Sequence, residues 1–313
     1  MKQVVKKTTI GGQALMEGIL MKGPQKTSIV VRKPDGTLEY KVEETKSSSK
    51  KYKIFKLPFF RGMGGLYDAI KMGSKALDYS GSFIEDDEDD QGFFEKKMKD
   101  KKKGEKIDSA LFGLLNIVIV IAFIFIFFFL PTGISNYFAP KIESTFVLNL
   151  IEGFIRIIFF LIYVYSISQI EDIKRVFMYH GAEHKTIFTY EYGEELTVEN
   201  VRNNSMLHPR CGTSFMFNMV LMSALVLSLF GWPNPWLRLL TRLLILPILV
   251  GLTYELNHWI GGSDSRLACS LSKPGLLIQR IATVKEPTDD MIEVAIEALK
   301  LVIPENEEDD IWK

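Results

Sequence analysis

Apolar residues in this chain are bunched into long uncharged runs, with polar and charged residues collected between them. From Leu111 to Leu130 the sequence reads LFGLLNIVIVIAFIFIFFFL, which matches the roughly 20 apolar residues that cross a hydrocarbon core about 30 Å thick. Comparable runs extend from about Val147 to Ile170, from Ser214 to Phe230 and from Trp236 to Ile260, the last two parted by the turn GWPNPW. The pattern predicts a mainly α, polytopic four-span helical membrane bundle over residues 108–262, with a cytoplasmic loop at 171–212. Pro247 is expected to kink the fourth span.

Ahead of the spans the period changes. TSIVVRKPDGTLEYKVEE holds two β-favouring runs around the turn signal Pro34-Asp35-Gly36 and predicts a hairpin. FKLPFFRGMGGLYDAIKMGSKALDY starts apolar and becomes helix-like, with Leu66, Ile70, Met72 and Leu77 along it. A place along the membrane surface and a place against the hairpin suit it equally. Residues 1–82 therefore read as a small α+β cytoplasmic region. Residues 83–107, with six consecutive acids from Glu85 to Asp90 and then a lysine cluster, read as a charged linker. In residues 263–313, PTDDMIEVAIEALKLV predicts a cytoplasmic amphipathic helix capped by Thr288 or Asp289, followed by the acidic PENEEDD.

The 38 basic and 38 acidic residues balance, leaving no domain-wide basic excess for a nucleic-acid partner. Their distribution sets a topology. Seven lysines between Lys96 and Lys106 precede the first span, and Lys174, Arg175, Lys185, Arg202 and Arg210 lie between the second and third. Between the first and second stands only Lys141. Basic residues flanking spans resist translocation, so a multi-pass protein of the plasma membrane is expected, both termini cytoplasmic. Arg238 and Arg242, near the opposite end of the fourth span, are expected to snorkel to the interface. The first span lies too far into the chain to be a signal peptide. Cys211 and Cys269 make no disulfide framework, and Cys269 reads as an ordinary buried thiol.

This topology brings all four histidines to one membrane surface. The stretch YHGAEHK, residues 179–185, holds His180 and His184 four apart with Glu183 beside them. On a helix the two rings share a face and can share a cation. H-x-x-E-H is also the inverted zinc-protease signature, in which a carboxylate from elsewhere completes the metal site. Glu183 is then the catalytic general base. Catalytic zinc keeps three protein ligands and one open position, and Glu255, a carboxylate in an otherwise apolar span, is the first candidate for the third ligand. His208 and Cys211 in HPRCGTSF are the rival metal ligands, and His258 lies three residues from Glu255. The plainer reading is the polar end of a membrane helix, and Gly181 weakens the turn as a helix by about 1 kcal/mol. Glu152 and Arg156, at i,i+4 in the second span, are expected to neutralise each other. GGQALMEGILMKGP near the start does not match the phosphate-cradling G-x-x-x-x-G-K-[ST] pattern.

Together GGQALMEGILMKGP, YHGAEHKTI, ENVRNNSMLHPRCGTSF and TYE at 253–255 resemble the YqhQ-type family of uncharacterised bacterial membrane proteins, over nearly the whole chain. The resemblance implies a multi-span protein of the bacterial inner membrane, described as a predicted metal-dependent enzyme. Its signature falls on Gly11, Gly12, Gln13, Glu17, His180, Glu183, His184, His208, Arg210, Cys211 and Glu255; His258 stands outside it.

Three functions compete. The first is a membrane-embedded, zinc-dependent hydrolase opening to the cytoplasm, acting on a peptide, a membrane protein or a lipid headgroup, with membrane lipid around it. The second is a non-enzymatic scaffold or transporter regulator in which His180, His184, His208 and Cys211 close a four-ligand structural site, with Glu255 behind them. The third is an ion path through Glu152, Arg156 and Glu255. Four spans are few for a monomeric transporter, so that reading requires a homo-oligomer.

Overall fold

The structure, a computed structural model, describes residues 4–83, 118, 121–122, 125–231 and 234–312. It divides into two compact units: Met1–Phe83, Tyr163–Met219 and Leu246–Lys313 form one, and Ile84–Ile162 with Val220–Ile245 the other. The N-terminal region, the 171–212 segment and the C-terminal helix, read from sequence as separate stretches, thus fold as one body. The chain is mainly helical, with a small antiparallel sheet near its N-terminus.

The first unit is built on four strands in sequential order: β1 (Gly11–Leu15), β2 (Gly18–Lys22), β3 (Lys26–Arg32) and β4 (Leu38–Glu44). The predicted hairpin is β3–β4. The β1–β2 hairpin, within the glycine-rich GGQALMEGILMKGP, is an addition to the predicted elements. A two-residue turn at Met16-Glu17 closes it, with Leu15 opposite Gly18 and Glu17 at φ 50°. Ile19, Met21 and Val30 line one face against Tyr179, Ala182 and Ile187 of α5 (Glu171–Glu191) and against α10 (Asp289–Lys300). Leu15, Leu20, Ile29 and Val31 line the other against Met72 and Ala76 of α2 (Phe60–Gly81). Covered on both faces, β2 and β3 are buried almost throughout instead of alternating between buried and exposed positions.

The short α1 (Ser48–Lys51) leads into α2. Helix α2 meets the sheet with its small residues, Gly73 and Ala76, and leaves Ile70 61% and Leu77 46% exposed. Helix α10 begins after Thr288, as its acids and spacing predict.

Two helices are long and apolar enough to cross a membrane, α4 (Thr145–Ile167) and α8 (Pro235–Gly262, over Trp236–Gly262). α7 (Gly212–Ser228) is apolar but has 17 residues. Most of the span expected at Leu111–Leu130, and the linker after Phe83, lie outside the described residues. The four-span expectation therefore reduces, among the described residues, to two candidate spans and one shorter apolar helix.

In the second unit, Arg156 donates to Glu152 at 2.5 Å, as i,i+4 spacing predicts. Thr132, on α3 (Leu130–Phe138), donates to the same carboxylate oxygen at 2.7 Å. Arg242 also bonds Glu152, and Arg238 Nη1 stands 3.8 Å from it. The snorkelling expected of Arg238 and Arg242 is corrected: both are buried. A carboxylate taken out of water needs hydrogen bonds and counter-charge from several sides, and these arginines turn inward to supply them.

Helix α5 runs unbroken through Gly181 because the glycine admits another chain segment. A Cβ there would stand 2.2 Å from the Lys285 carbonyl oxygen, and that segment is tied to α5 by the Lys285 N–H donating to the Phe177 carbonyl at 2.9 Å. Alanine improves helix propensity by about 1 kcal/mol, yet overpacking against backbone costs about 1–3 kcal/mol. Gly181→Ala is therefore expected to lower the thermal midpoint of the detergent-solubilised protein; an unchanged or raised midpoint contradicts this packing.

Candidate metal centre

The His180, Glu183 and His184 side chains rise from the middle of α5, and all three are largely buried. The ring centroids of His180 and His184 are 4.3 Å apart, as i,i+4 spacing on a helix allows. Each ring is pinned by a backbone carbonyl. His180 Nδ1–H donates to Thr283 O at 2.8 Å, and His184 Nδ1–H donates to Met206 O at 2.6 Å. Since a carbonyl only accepts, Nδ1 carries the proton and Nε2 is left as the second ring donor atom. Carbonyl-oriented imidazoles of this kind are the usual support of metal-ligating histidines.

Cys211 faces them. Its Sγ lies 3.2 Å from His180 Nε2, and the ligand atoms of His180, His184 and Cys211 all lie within 4.8 Å of one another. Zinc bonds of about 2.1 Å to nitrogen and 2.3 Å to sulfur, set tetrahedrally, hold such donors about 3.5 Å apart, so small side-chain adjustments close the group. Cys211 stands just before α7, and the Thr213 N–H and Oγ1 approach its sulfur at 3.4 and 3.2 Å. Burial pushes the Cys211 thiol up, but the His180 and His184 imidazoles outweigh it and hold the thiol well below its ordinary range. Burial likewise pushes His180 down, while the facing Cys211 sulfur and Glu183 carry it up to about 9. Both shifts favour charge separation, negative on sulfur and positive on the ring, and a cation bound there would take the place of the ring proton.

Glu183 points to the same place. Its Oε2 is 3.9 Å from His180 Nε2, and its Oε1 accepts from the Gly12 N–H at 2.9 Å. A Cβ on Gly12 would stand 2.9 Å from Glu183 Cγ, so β1 approaches α5 this closely only with glycine there. A cavity of about 460 Å³ opens over the group, bordered by Thr9 to Gln13 on one side and by Arg210 and Trp312 on another.

The remaining candidates are placed elsewhere. Glu255 does not join the three donors: Arg61 donates to its two oxygens at 2.7 and 2.5 Å, and the Phe59 N–H donates to it at 2.9 Å. Phe59 adopts φ 73°, a strained region for a bulky residue, and its ring lies on Gly251. Glu255 thus clamps the segment before α2 onto α8, which accounts for a carboxylate in an apolar helix. His208 lines the cavity but turns its Nε2 toward Glu191 Oε2 at 3.5 Å. Burial, and then Arg210 acting against the Glu191 contact, bring His208 down to about 4, so it is neutral. His258 stacks on Trp312 with centroids 4.9 Å apart. Cys269 is exposed, correcting its reading as a buried thiol: it lies on the outward face of α9 (Arg266–Ile278).

Several positioning residues escaped the sequence reading. Gln279, fully buried, accepts from the His208 N–H at 2.9 Å and donates to the His208 carbonyl at 2.8 Å and to Ser214 Oγ at 2.9 Å. It opens the π-helical turn Gln279–Thr283 that also supplies the carbonyl for His180, and such turns recur at functional sites. Glu191 binds Arg210 and accepts from the Thr8 N–H at 2.7 Å. Its place two turns beyond His184 on the same helical face is the one signal that sequence offered for it.

A family model described as "Protein of unknown function (DUF1385)" matches residues 57–305, which hold the whole donor set. The chain belongs to the DUF1385 family. It is also 32% identical to "Uncharacterized protein YqhQ" of Bacillus subtilis (strain 168) over 290 residues, 92% of this chain and 90% of that protein. No solved structure matches. Within this DUF1385 chain, residues 1–56, which carry Gly12 and the strands over the site, lie outside the family match.

In chelator-treated protein carrying Cys269→Ser, alkylation of Cys211 by iodoacetamide is expected to begin at a lower pH than that of an ordinary thiol, because the neighbouring imidazoles hold this thiol low. His180→Gln should move that onset to higher pH. The same onset in both proteins contradicts the pairing.

Proposed function

We propose that the DUF1385 chain is a metal-dependent hydrolase whose His180 Nε2, His184 Nε2 and Cys211 Sγ hold one zinc ion, with the fourth position open to the cavity. The observation that carries this reading is the pair of backbone carbonyls fixing both Nδ1 protons, since it leaves two Nε2 atoms and one thiolate within 4.8 Å. A donor set of two imidazoles and a thiolate suits zinc. A zinc ion held there supplies Lewis acidity and lowers the pKa of a bound water to near neutrality. Glu183, with Oε2 3.9 Å from His180 Nε2, would be the general base beside that ion. The Gly12 N–H holds the other carboxylate oxygen and keeps Glu183 turned toward the donors.

The donor count favours catalysis over the closed structural site: His208, the fourth ligand that reading requires, stands outside the group of three donors and turns its Nε2 toward Glu191 at 3.5 Å. Peptide and lipid-headgroup amides or esters are the substrate class. The reading includes a four-span, multi-pass arrangement in the plasma membrane with both termini and the cavity on the cytoplasmic side, supported by α4, α8 and the distribution of lysine and arginine.

Elemental analysis of detergent-purified protein should find about one zinc per chain, lost in His184→Ala and Cys211→Ser. Glu183→Gln should keep the metal and lose roughly 10²- to 10⁴-fold in turnover of a peptide library followed by mass spectrometry. Equal zinc in wild type and His184→Ala would falsify the metal centre; wild-type turnover in Glu183→Gln removes the base.

A further inference from the structure

The segment just before α2 has a composition and a position that the metal centre does not use. Residues 51–58 read KYKIFKLP. Lys51, Lys53 and Lys56 are exposed, and interleaved with them Tyr52 (51%), Ile54 (49%) and Leu57 (54%) expose apolar surface, although Tyr52 also meets Phe55 edge-on and lies under Lys51 Nζ. A short 3-10 helix, Lys53–Lys56, contains no buried residue. Three large apolar side chains held in water cost free energy that a monomeric soluble surface seldom accepts in one patch.

What lies next to the patch says what covers it. The Glu255 carboxylate binds Arg61 and the Phe59 N–H, the Phe59 ring lies on Gly251, and Gly62 lies on Tyr254. Gly251, Tyr254 and Glu255 belong to α8, one of the two helices able to cross a membrane. About 20 residues span the hydrocarbon core; counted from Trp236, they end at Glu255. The clamp therefore sets residues 51–58 at the level where hydrocarbon meets headgroups. Beside the patch, between β4 and α2, lies a cavity of about 750 Å³ bordered by Lys46, Lys51, Lys71, Lys75 and Tyr52. Of its three acids, Asp68 accepts from the Ser48 N–H and hydroxyl and Glu43 pairs with Lys41, which leaves the exposed Glu44 against Lys46, Lys51, Lys71 and Lys75.

We propose that residues 51–58 and the adjoining lysine-bordered cavity form a binding site for anionic phospholipids of the leaflet beside α8, the phosphate taken by the lysines and the acyl region by Tyr52, Ile54 and Leu57. Lysine and apolar residues interleaved in this way hold a segment in the interface through buried area plus attraction to anionic headgroups. The site stands independently of the zinc reading, since none of its residues contacts the three donors.

The test is amide hydrogen exchange of the full chain in lipid nanodiscs, read on the peptide covering residues 51–58. In discs containing phosphatidylglycerol, exchange should be about tenfold slower than in discs of phosphatidylcholine alone, and the difference should vanish in Lys51→Glu/Lys53→Glu/Lys56→Glu. Exchange across α10 reports that this variant is folded. Equal exchange in the two kinds of disc, fast or slow, overturns the proposal without recourse to any variant. A difference that survives in the folded triple variant overturns the role of the lysines. Equal slowing by millimolar inorganic phosphate in phosphatidylcholine discs assigns the site to a free anion and overturns the lipid, as does failure of the chain to enter discs at all.

Discussion

Two imidazole N–H groups donating to two backbone carbonyls are the constraint on which the rest of the site depends. An unpinned histidine ring flips between two nearly equivalent donor faces; one whose Nδ1 proton is held has a single way to present Nε2. The carbonyls of Met206 and Thr283 come from segments far apart in sequence, one before α7 and one in the π-helical turn after α9. Gln279 couples these segments by bonding both the N–H and the carbonyl of His208. Burying so many polar groups is tolerable because nearly every one is satisfied, and satisfying them leaves the loop that carries Cys211 one arrangement.

The fold handles the carboxylates of its helices in a consistent way, whether buried, as Glu152 and Glu191 are, or part-exposed, as Glu255 is. Glu152 draws in Arg156, Arg242 and Thr132; Glu191 takes Arg210 and the Thr8 N–H; Glu255 takes Arg61 and the Phe59 N–H. Arginine suits this task because its planar fork meets a carboxylate along two parallel bonds and stays charged when dehydrated. Glu183 is the exception that matters. It has a backbone N–H at one oxygen and His180 near the other, so its second oxygen faces the histidines rather than an arginine.

Local signals were legible in the sequence and long-range ones were not. H-x-x-E-H spacing places two rings on a helical face whatever surrounds it, the Pro-Asp-Gly turn marks β3–β4, and the acids after Thr288 mark α10. Glu255 misled because a carboxylate in an apolar run signals a partner without saying which; Arg61, nearly two hundred positions away, left no trace in the local pattern. Arg238 and Arg242 misled for the same reason, since snorkelling and turning inward to Glu152 start from the same residues. β1 and β2 were hidden by the glycines that let β1 lie against Glu183. Gln279 acts through a side-chain amide closed on the backbone of His208, and Thr283 through its own carbonyl; no local pattern announces either.

The stitching of the two chain ends has a consequence for synthesis. Thr8 bonds Asp310, 302 positions away, Thr8 pairs with Ile311 in an isolated β-bridge, and the Trp312 N–H donates to the Lys7 carbonyl. The same Thr8 N–H holds Glu191, and Trp312 borders the cavity. Loop closure over such a separation comes late, so the helix bearing both histidines leaves the ribosome long before the residues that wall it in. Until residue 312 has emerged the wall that Trp312 gives the cavity cannot be in place, so the site is completed only when these two segments meet.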